Sequence, residues 1–445
     1  MQIRKGDSGA IAILSDAAAF HAVGMRRDPP ADPPNPTGRV LGICLATGLA
    51  STGLAAGGTG GALLAVEVAG NAAVAGLPFG LVVAGSALGA LLIGALTPRL
   101  GRLMPLALGH LIGVIGAVIV LMASWSTDLG LILAGSLLLG PANASVFMAR
   151  YTGADLFGTG REGRGIGAIL LAAGVGAVMA PNLLEPAGLA AEALGLPVAA
   201  GLYLVAVGAF GAAGALLAVL APRSTDGQRP LFRGPLGGVP SPARRRWSHG
   251  AVLGIITLGA ANMAMVGIMA VAPIHLTAQG HDLRSVGLVI SIHVAGMLGP
   301  SPITGWLVDR IGPRPVAAAG GSLLLAAGVA GALVDHSDPG AAIGFLLALG
   351  VGWNLAVVAG SSMLTSSVAG QGRYAAEARG EVAMGVAAAV GAPAAGLLAA
   401  MSGFGALSAA GAVIGAIAVG ALAIRLWTVG STFPREDLQD PSDWR

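Results

Sequence analysis

Gly305-Trp306-Leu307-Val308-Asp309-Arg310-Ile311-Gly312-Pro313-Arg314 is a short charged turn set between two long apolar stretches. A related turn, Gly94-Ala95-Leu96-Thr97-Pro98-Arg99-Leu100-Gly101, lies 211 residues earlier (94 against 305). A second pair, Glu162-Gly163-Arg164-Gly165 and Glu377-Ala378-Arg379-Gly380, repeats at 215 residues (162 against 377). A near-constant offset of this kind is the mark of an internal duplication whose halves run in the same sense. The glycines let the chain reverse within a few residues, so each turn closes one element and opens the next.

Working outward from these turns, the chain separates at its charges into twelve apolar spans. They cover roughly 39–66, 73–97, 103–123, 129–150, 166–187, 197–221, 250–274, 285–308, 316–334, 341–364, 380–401 and 404–427. Each is about 20 residues or longer, enough to cross the hydrocarbon core of a bilayer as a helix. When the connections are numbered alternately, all of the 24 Lys and Arg residues except Arg284 fall on one side. Cationic loops resist translocation, so that side is expected to be cytoplasmic, with both termini inside a bacterial inner membrane. Composition agrees: 55% of the 445 residues are hydrophobic and 10% charged, against about a quarter charged in soluble domains. The 73 glycines would weaken helices in water, whereas in lipid small residues let helices approach closely. A net charge of +3 is accounted for by topology and gives no reason to expect nucleic acid. A lone Cys44 rules out a disulfide framework or a cysteine-ligated cluster.

The expected fold is an all-α polytopic membrane protein of twelve helices in two pseudo-symmetric six-helix bundles. Residues 1–38 form a polar, Pro-rich cytoplasmic tail, 39–221 the first bundle, 222–249 an Arg- and Pro-rich linker, 250–427 the second bundle, and 428–445 a loose tail. Met25-Arg26-Arg27 offers an alternative start to Met1.

The pattern Gly305-x-Leu-x-Asp309-Arg310-x-Gly312-x-Arg314 resembles the most widely shared signature of the major facilitator superfamily, and the resemblance extends over roughly 39–427. It implies solute transport by alternating access. The chemistry of the turn can be read separately. A carboxylate at Asp309 can face the partially positive start of a nearby helix, which the pseudo-symmetry sets near Arg164–Ile166. Arg310 and Arg314 can pair with acids at other helix ends, or serve only as topology determinants. The first-half copy keeps Arg99 and Arg102 but carries Pro98 in place of the acid, leaving Asp155 and Glu162 as the nearest partners for a latch. Span five holds Gly167, Gly176, Ala180 and Pro181, similar to the glycine motif of drug–proton antiporters in this superfamily. Chance spacing in a glycine-rich chain is the competing reading.

Polar side chains inside spans are costly and therefore candidates for function. His293 in span eight has a side chain suited to proton exchange near neutral pH, or it serves as a neutral imidazole bonded to a neighbouring helix. His110 in span three is expected at the periphery. Asn143, Asn262, Trp353 and Asn354, with Met269 from span seven, combine amide groups, a flat apolar face and a soft thioether, a mixture suited to organic solutes. The resembled fold puts their helices around a central cavity. Interhelical hydrogen bonding is the alternative for each Asn. Glu67, Glu185 and Glu381 are expected at membrane interfaces, and Arg150 is expected to snorkel or to pair with Asp155.

No nucleotide-binding Gly-Lys-Ser motif, metal-spaced cluster or nucleophile with a buried partner is present, so no enzyme, cofactor or metal is expected. The function expected is proton-coupled export of small amphipathic compounds by a monomer in contact with lipid. Uptake or facilitated diffusion of a specific neutral metabolite is the alternative, since span one lacks a deep carboxylate.

Overall fold

Stretches this apolar can satisfy their backbone N–H and C=O groups in lipid only within helices, and the chain does so one helix after another. The computed structural model describes residues 36–71, 74, 76–222, 248–370 and 372–430. Most of the expected N-terminal tail with Met25, the linker between 223 and 247, and the tail beyond 430 lie outside the described residues. The first half contains α1 (Pro36–Ala69), α2 (Leu77–Leu100), α3 (Leu103–Ser126), α4 (Leu129–Phe157), α5 (Glu162–Met179), α6 (Leu184–Ala193) and α7 (Gly201–Leu220). The second contains α8 (His249–Ala278), α9 (Leu283–Leu298), α10 (Ser301–Ile311), α11 (Pro313–Leu333), α12 (Pro339–Ser367) and α13 (Gly372–Gly430). Four starts after loops are capped by a side-chain oxygen, from Asp128, Ser248, Asp282 and Asp338.

The elements depart from a count of twelve uniform spans in three places. Span five ends at Met179, because Pro181 brings no N–H to the ladder; a 3-10 turn (Ala180–Leu183) leads into the separate α6 where a loop was expected. Span eight is divided into α9 and α10 at Gly299-Pro300 for the same reason. Spans eleven and twelve run together as α13 and part at Gly403, whose φ is 81°. The two duplicated turns close alike, on Gly101 (φ 75°) and Gly312 (φ 88°), a left-handed geometry that strains any residue with a Cβ.

From Val40 onward the described residues form one compact unit. Within it, α5 packs on α10, and α2 packs on α13. These two seams join the halves and correspond under the duplication. Both lie at the end of the bundle that carries Arg99, Arg102, Arg164, Arg310 and Arg373, termed the arginine end below.

Candidate functional site

At the first seam, Asp309 near the end of α10 meets the start of α5. Its Oδ1 accepts from the Gly163 N–H at 2.7 Å and its Oδ2 from the Arg164 N–H at 3.1 Å, with the Arg164 guanidinium 3.7 Å away. The carboxylate thus fills the orphan donors of a helix N-terminus, where the macrodipole favours negative charge. The backbones approach so closely that a Cβ on Gly305 would collide with the Gly163 carbonyl, and one on Gly163 with that of Gly305.

The second seam uses side chains. Arg102 donates to Asp155 at 2.5 Å and makes a two-pronged bond to Glu377 at 2.5 and 2.9 Å. Arg373 pairs with the same two acids at 2.7 and 2.9 Å. Glu377 is fully buried, while Arg102 lies over the Tyr374 ring at 4.8 Å. Burial works against the Arg102 charge, but Glu377 and then Asp155 outweigh it and hold its pKa above the ordinary arginine value. Here Gly94 approaches Tyr374 and Ala378, the counterpart of the Gly305–Gly163 contact.

Between the halves lies a cavity of about 470 Å³, whose wall is supplied by α1, α2, α4 and α7 of the first half and α8, α9, α12 and α13 of the second. Phe79, Phe147, Phe210, Trp353, Met265, Met297 and Met384 make it aromatic and soft, while Ser86, Asn143, Asn262 and Glu381 add polar groups. It extends from Glu381 to Phe79, which sits in the first turn of α2 and is 54% exposed. Asn262 is partly committed to the wall: its amide donates to the Met384 carbonyl at 2.8 Å, and its oxygen accepts from the Trp353 indole at 3.1 Å. The Asn143 side chain makes no hydrogen bond among the described residues and is the amide on the wall open to a solute.

Glu381 and Arg150 are placed differently from the sequence expectation. Both are buried within the protein. Arg150 is fully buried and bonds to Glu381 across the halves; Ser361 Oγ accepts from its Nε at 2.8 Å, Phe147 O from its Nη1 at 2.7 Å and Tyr151 Oη from its Nη2 at 3.1 Å. Its remaining bonds leave Asp155 to Arg102 and Arg373. The physical reason is that a charge this deep is tolerable only when paired and fully hydrogen-bonded, and each partner supplies the other's need. A signal was present: Glu377 and Glu381 are four apart on one helix and therefore share a face, which meets Arg102 and Arg150.

The other candidates separate. Asn354 is buried away from the cavity, donating to Met297 O and Ser301 Oγ at 2.7 Å each and accepting from Thr304 at 2.6 Å. It pins the α9–α10 break to α12. Met269 packs against the core and His293 is buried, with Nδ1 2.7 Å from the Leu346 carbonyl; neither lines the cavity. His110 is buried and stacks on Phe210, which does line it. Arg310 stacks over Trp306 at 5.2 Å, Arg99 and Arg314 are exposed, and Glu162 accepts from the Gly160 N–H. In span five, a Cβ on Gly167 would meet the Ser301 carbonyl and one on Gly176 the Gly48 carbonyl, so these glycines mark where α5 crosses α10 and α1. Ala180 is buried, and Pro181 continues into the 3-10 turn.

A family model described as Major Facilitator Superfamily matches residues 41–376 and 252–442. The chain is 35% identical over 371 residues to an uncharacterized MFS-type transporter, YddS of Bacillus subtilis (strain 168), covering 81% of this chain and 85% of that protein. It is 26% identical over 313 residues to the riboflavin transporter RfnT of Brucella anthropi, covering 68% of this chain and 75% of the relative. In fold it is similar to a bacterial homologue of the iron transporter ferroportin in an outward-facing state, with a TM-score of 0.67, 15% identity, and coverage of 88% and 99%.

Proposed function

The chain belongs to the major facilitator superfamily and is a multi-pass membrane transporter for a small molecule; on that premise we propose that it exports small amphipathic organic compounds in exchange for protons. The arginine end faces the cytoplasm of a bacterial cell, and the seams there hold the cavity closed on that side until they part. The protein works as a monomer.

The observation that carries this reading is Glu381, a titratable group on the cavity wall, paired with Arg150 from the other half. With the carboxylate ionised the pair ties α4 to α13. A proton on Glu381 leaves Arg150 without its counter-charge and weakens that tie, so proton binding and the relation of the halves are linked. Aromatic rings and thioethers suit flat apolar compounds, and Asn143 supplies a donor and an acceptor. This assigns coupling to Glu381, and His293, off the cavity, holds α9 to α12.

The test is pH-gradient collapse in everted membrane vesicles, challenged with neutral and cationic amphiphiles. Compound-dependent proton release in wild type, retained in His293→Ala and lost in Glu381→Gln, is the expected result. Silence across the panel, with folded protein in the membrane, would refute export. A second reading is supported by the relative named as a riboflavin transporter: uptake of a flat heteroaromatic metabolite through the same cavity, seen as accumulation in intact cells.

A further inference from the structure

Three of the seven histidines meet at the end opposite the arginines, in the second half only. His275 Nε2 lies 3.0 Å from His336 Nδ1, and His281 Nε2 lies 2.6 Å from the His336 carbonyl. His275 also stacks flat on Phe404 at 4.0 Å, and His336 meets Phe404 and Phe345 at 5.4 and 5.2 Å. The contacts join the end of α8, the α8–α9 turn, the α11–α12 turn and the segment of α13 just past its Gly403 bend. One nitrogen of each ring is turned on another ring or on a carbonyl, His336 Nε2 is buried without a hydrogen-bond partner, and among the described residues no group of three His, Cys, Asp or Glu is arranged for a metal. Pro273 lies two residues before His275, so the ladder hydrogen bond from residue 273 back to Met269 is missing just before the last turn of α8.

We infer that this histidine cluster is a proton-sensitive clasp, which holds the end of α8 in place while neutral and releases it when the surrounding solution turns acidic. The contact between His275 and His336 needs one ring nitrogen to donate and the other to accept. Two protonated rings have only donors, and their like charges stand about one hydrogen bond apart. The surrounding groups are unevenly distributed. The α11–α12 turn brings Asp335 and Asp338; the latter is engaged in capping α12. The α8–α9 turn brings Asp282, which caps α9, and the first turn of α9 brings the exposed Arg284. At the ring pair itself, α12 and α13 present Phe345 and Phe404.

Burial pushes the His336 pKa below its ordinary 6.5, against the smaller upward pull of Asp335. A depressed folded pKa means that the contribution of the clasp is complete above the unfolded value and is lost as pH falls below about 6.5. Because Asn262 and Met265 of the same helix line the cavity, release at this end acts on the helix that shapes the binding wall. The inference does not depend on the direction of transport or on Glu381.

The experiment is hydrogen–deuterium exchange on the full-length protein in lipid nanodiscs, from about pH 7.5 down to about 5. Amide rates for 274–281 are expressed as protection factors, which removes the intrinsic pH dependence. Wild type is expected to lose protection there by up to about tenfold per pH unit for each ring as pH falls below about 6.5. His275→Gln combined with His336→Gln keeps hydrogen-bonding groups that cannot titrate and is expected to remove the step. Glu381→Gln is expected to retain it. Constant protection in wild type overturns the inference without recourse to any variant. So does a step that persists when both His275 and His336 are replaced by Gln, or one that disappears in Glu381→Gln.

Discussion

The two seams at the arginine end descend from one duplicated unit yet hold the halves together by different means. At α5–α10 a single carboxylate, Asp309, sits on two backbone N–H groups, and glycines on both sides let the helices touch. At α2–α13 the acid of the turn is replaced by Pro98, and a network of Arg102, Arg373, Asp155 and Glu377 takes over. The difference teaches that a repeat can lose its defining residue if compensating charges lie within reach of the same contact. It also means that the seams respond differently to perturbation. The first depends on backbone fit and a partial charge, and the second on full charges in a partly buried place.

Mutation can break this contrast, beginning with the network. Arg102→Ala strips Glu377 of its two-pronged partner in a fully buried position and leaves it only Arg373, a change on the order of 3 kcal/mol, the low end for a broken buried pair. It is expected to abolish transport and to expose cysteines introduced along α2 and α13 to thiol reagents added at the arginine end. Gly163→Ala attacks the other seam through sterics. It should drive α5 from α10 and lower thermal stability by about 1–3 kcal/mol, while the α2–α13 cysteine pattern stays as in wild type. Asp309→Asn keeps one acceptor and the shape but drops the charge, at about 1 kcal/mol. Transport should fall severalfold with folded protein in the membrane; full activity would show that backbone fit alone sustains this seam. Pro98→Asp sharpens the comparison by restoring the missing acid opposite α13. A gain of about 0.3–1 kcal/mol in closure, read as slower transport, is expected. Arg164→Ala is the mildest, since its guanidinium is 44% exposed at 3.7 Å from Asp309 and such pairs contribute about 0–1 kcal/mol.

Much of this architecture was readable in the chain because lipid imposes simple rules. Spans follow from apolar length, and the duplicated halves from the spacing of Gly94 and Gly305. What length cannot reveal is where a helix breaks within the membrane. The α5–α6 interruption and the α9–α10 break depend on prolines whose neighbours re-satisfy the backbone. The cavity was partly visible in Asn143, Asn262 and Trp353, which carry mixed polar and apolar character on separate helices. Asn354 shows the limit, since an adjacent amide of the same chemistry faces Ser301 and Thr304 and serves as a brace. Arg150 and Glu381 were misread because each was judged alone. A buried charge is intelligible only with its partner, and the two are 231 residues apart.

Glu381 is the single titratable side chain on the cavity wall among the described residues. On the proposed exchange mechanism, one such carrier gives a stoichiometry of one proton per turnover, so exchange against an uncharged compound would move one net elementary charge and register as a current. Each 100 mV of membrane potential then supplies about 2.3 kcal/mol. At about 1.4 kcal/mol per tenfold, the electrical driving force limits the concentration ratio to roughly forty-fold for each 100 mV. A compound found at a steeper ratio would require a pH gradient as well, or a second proton.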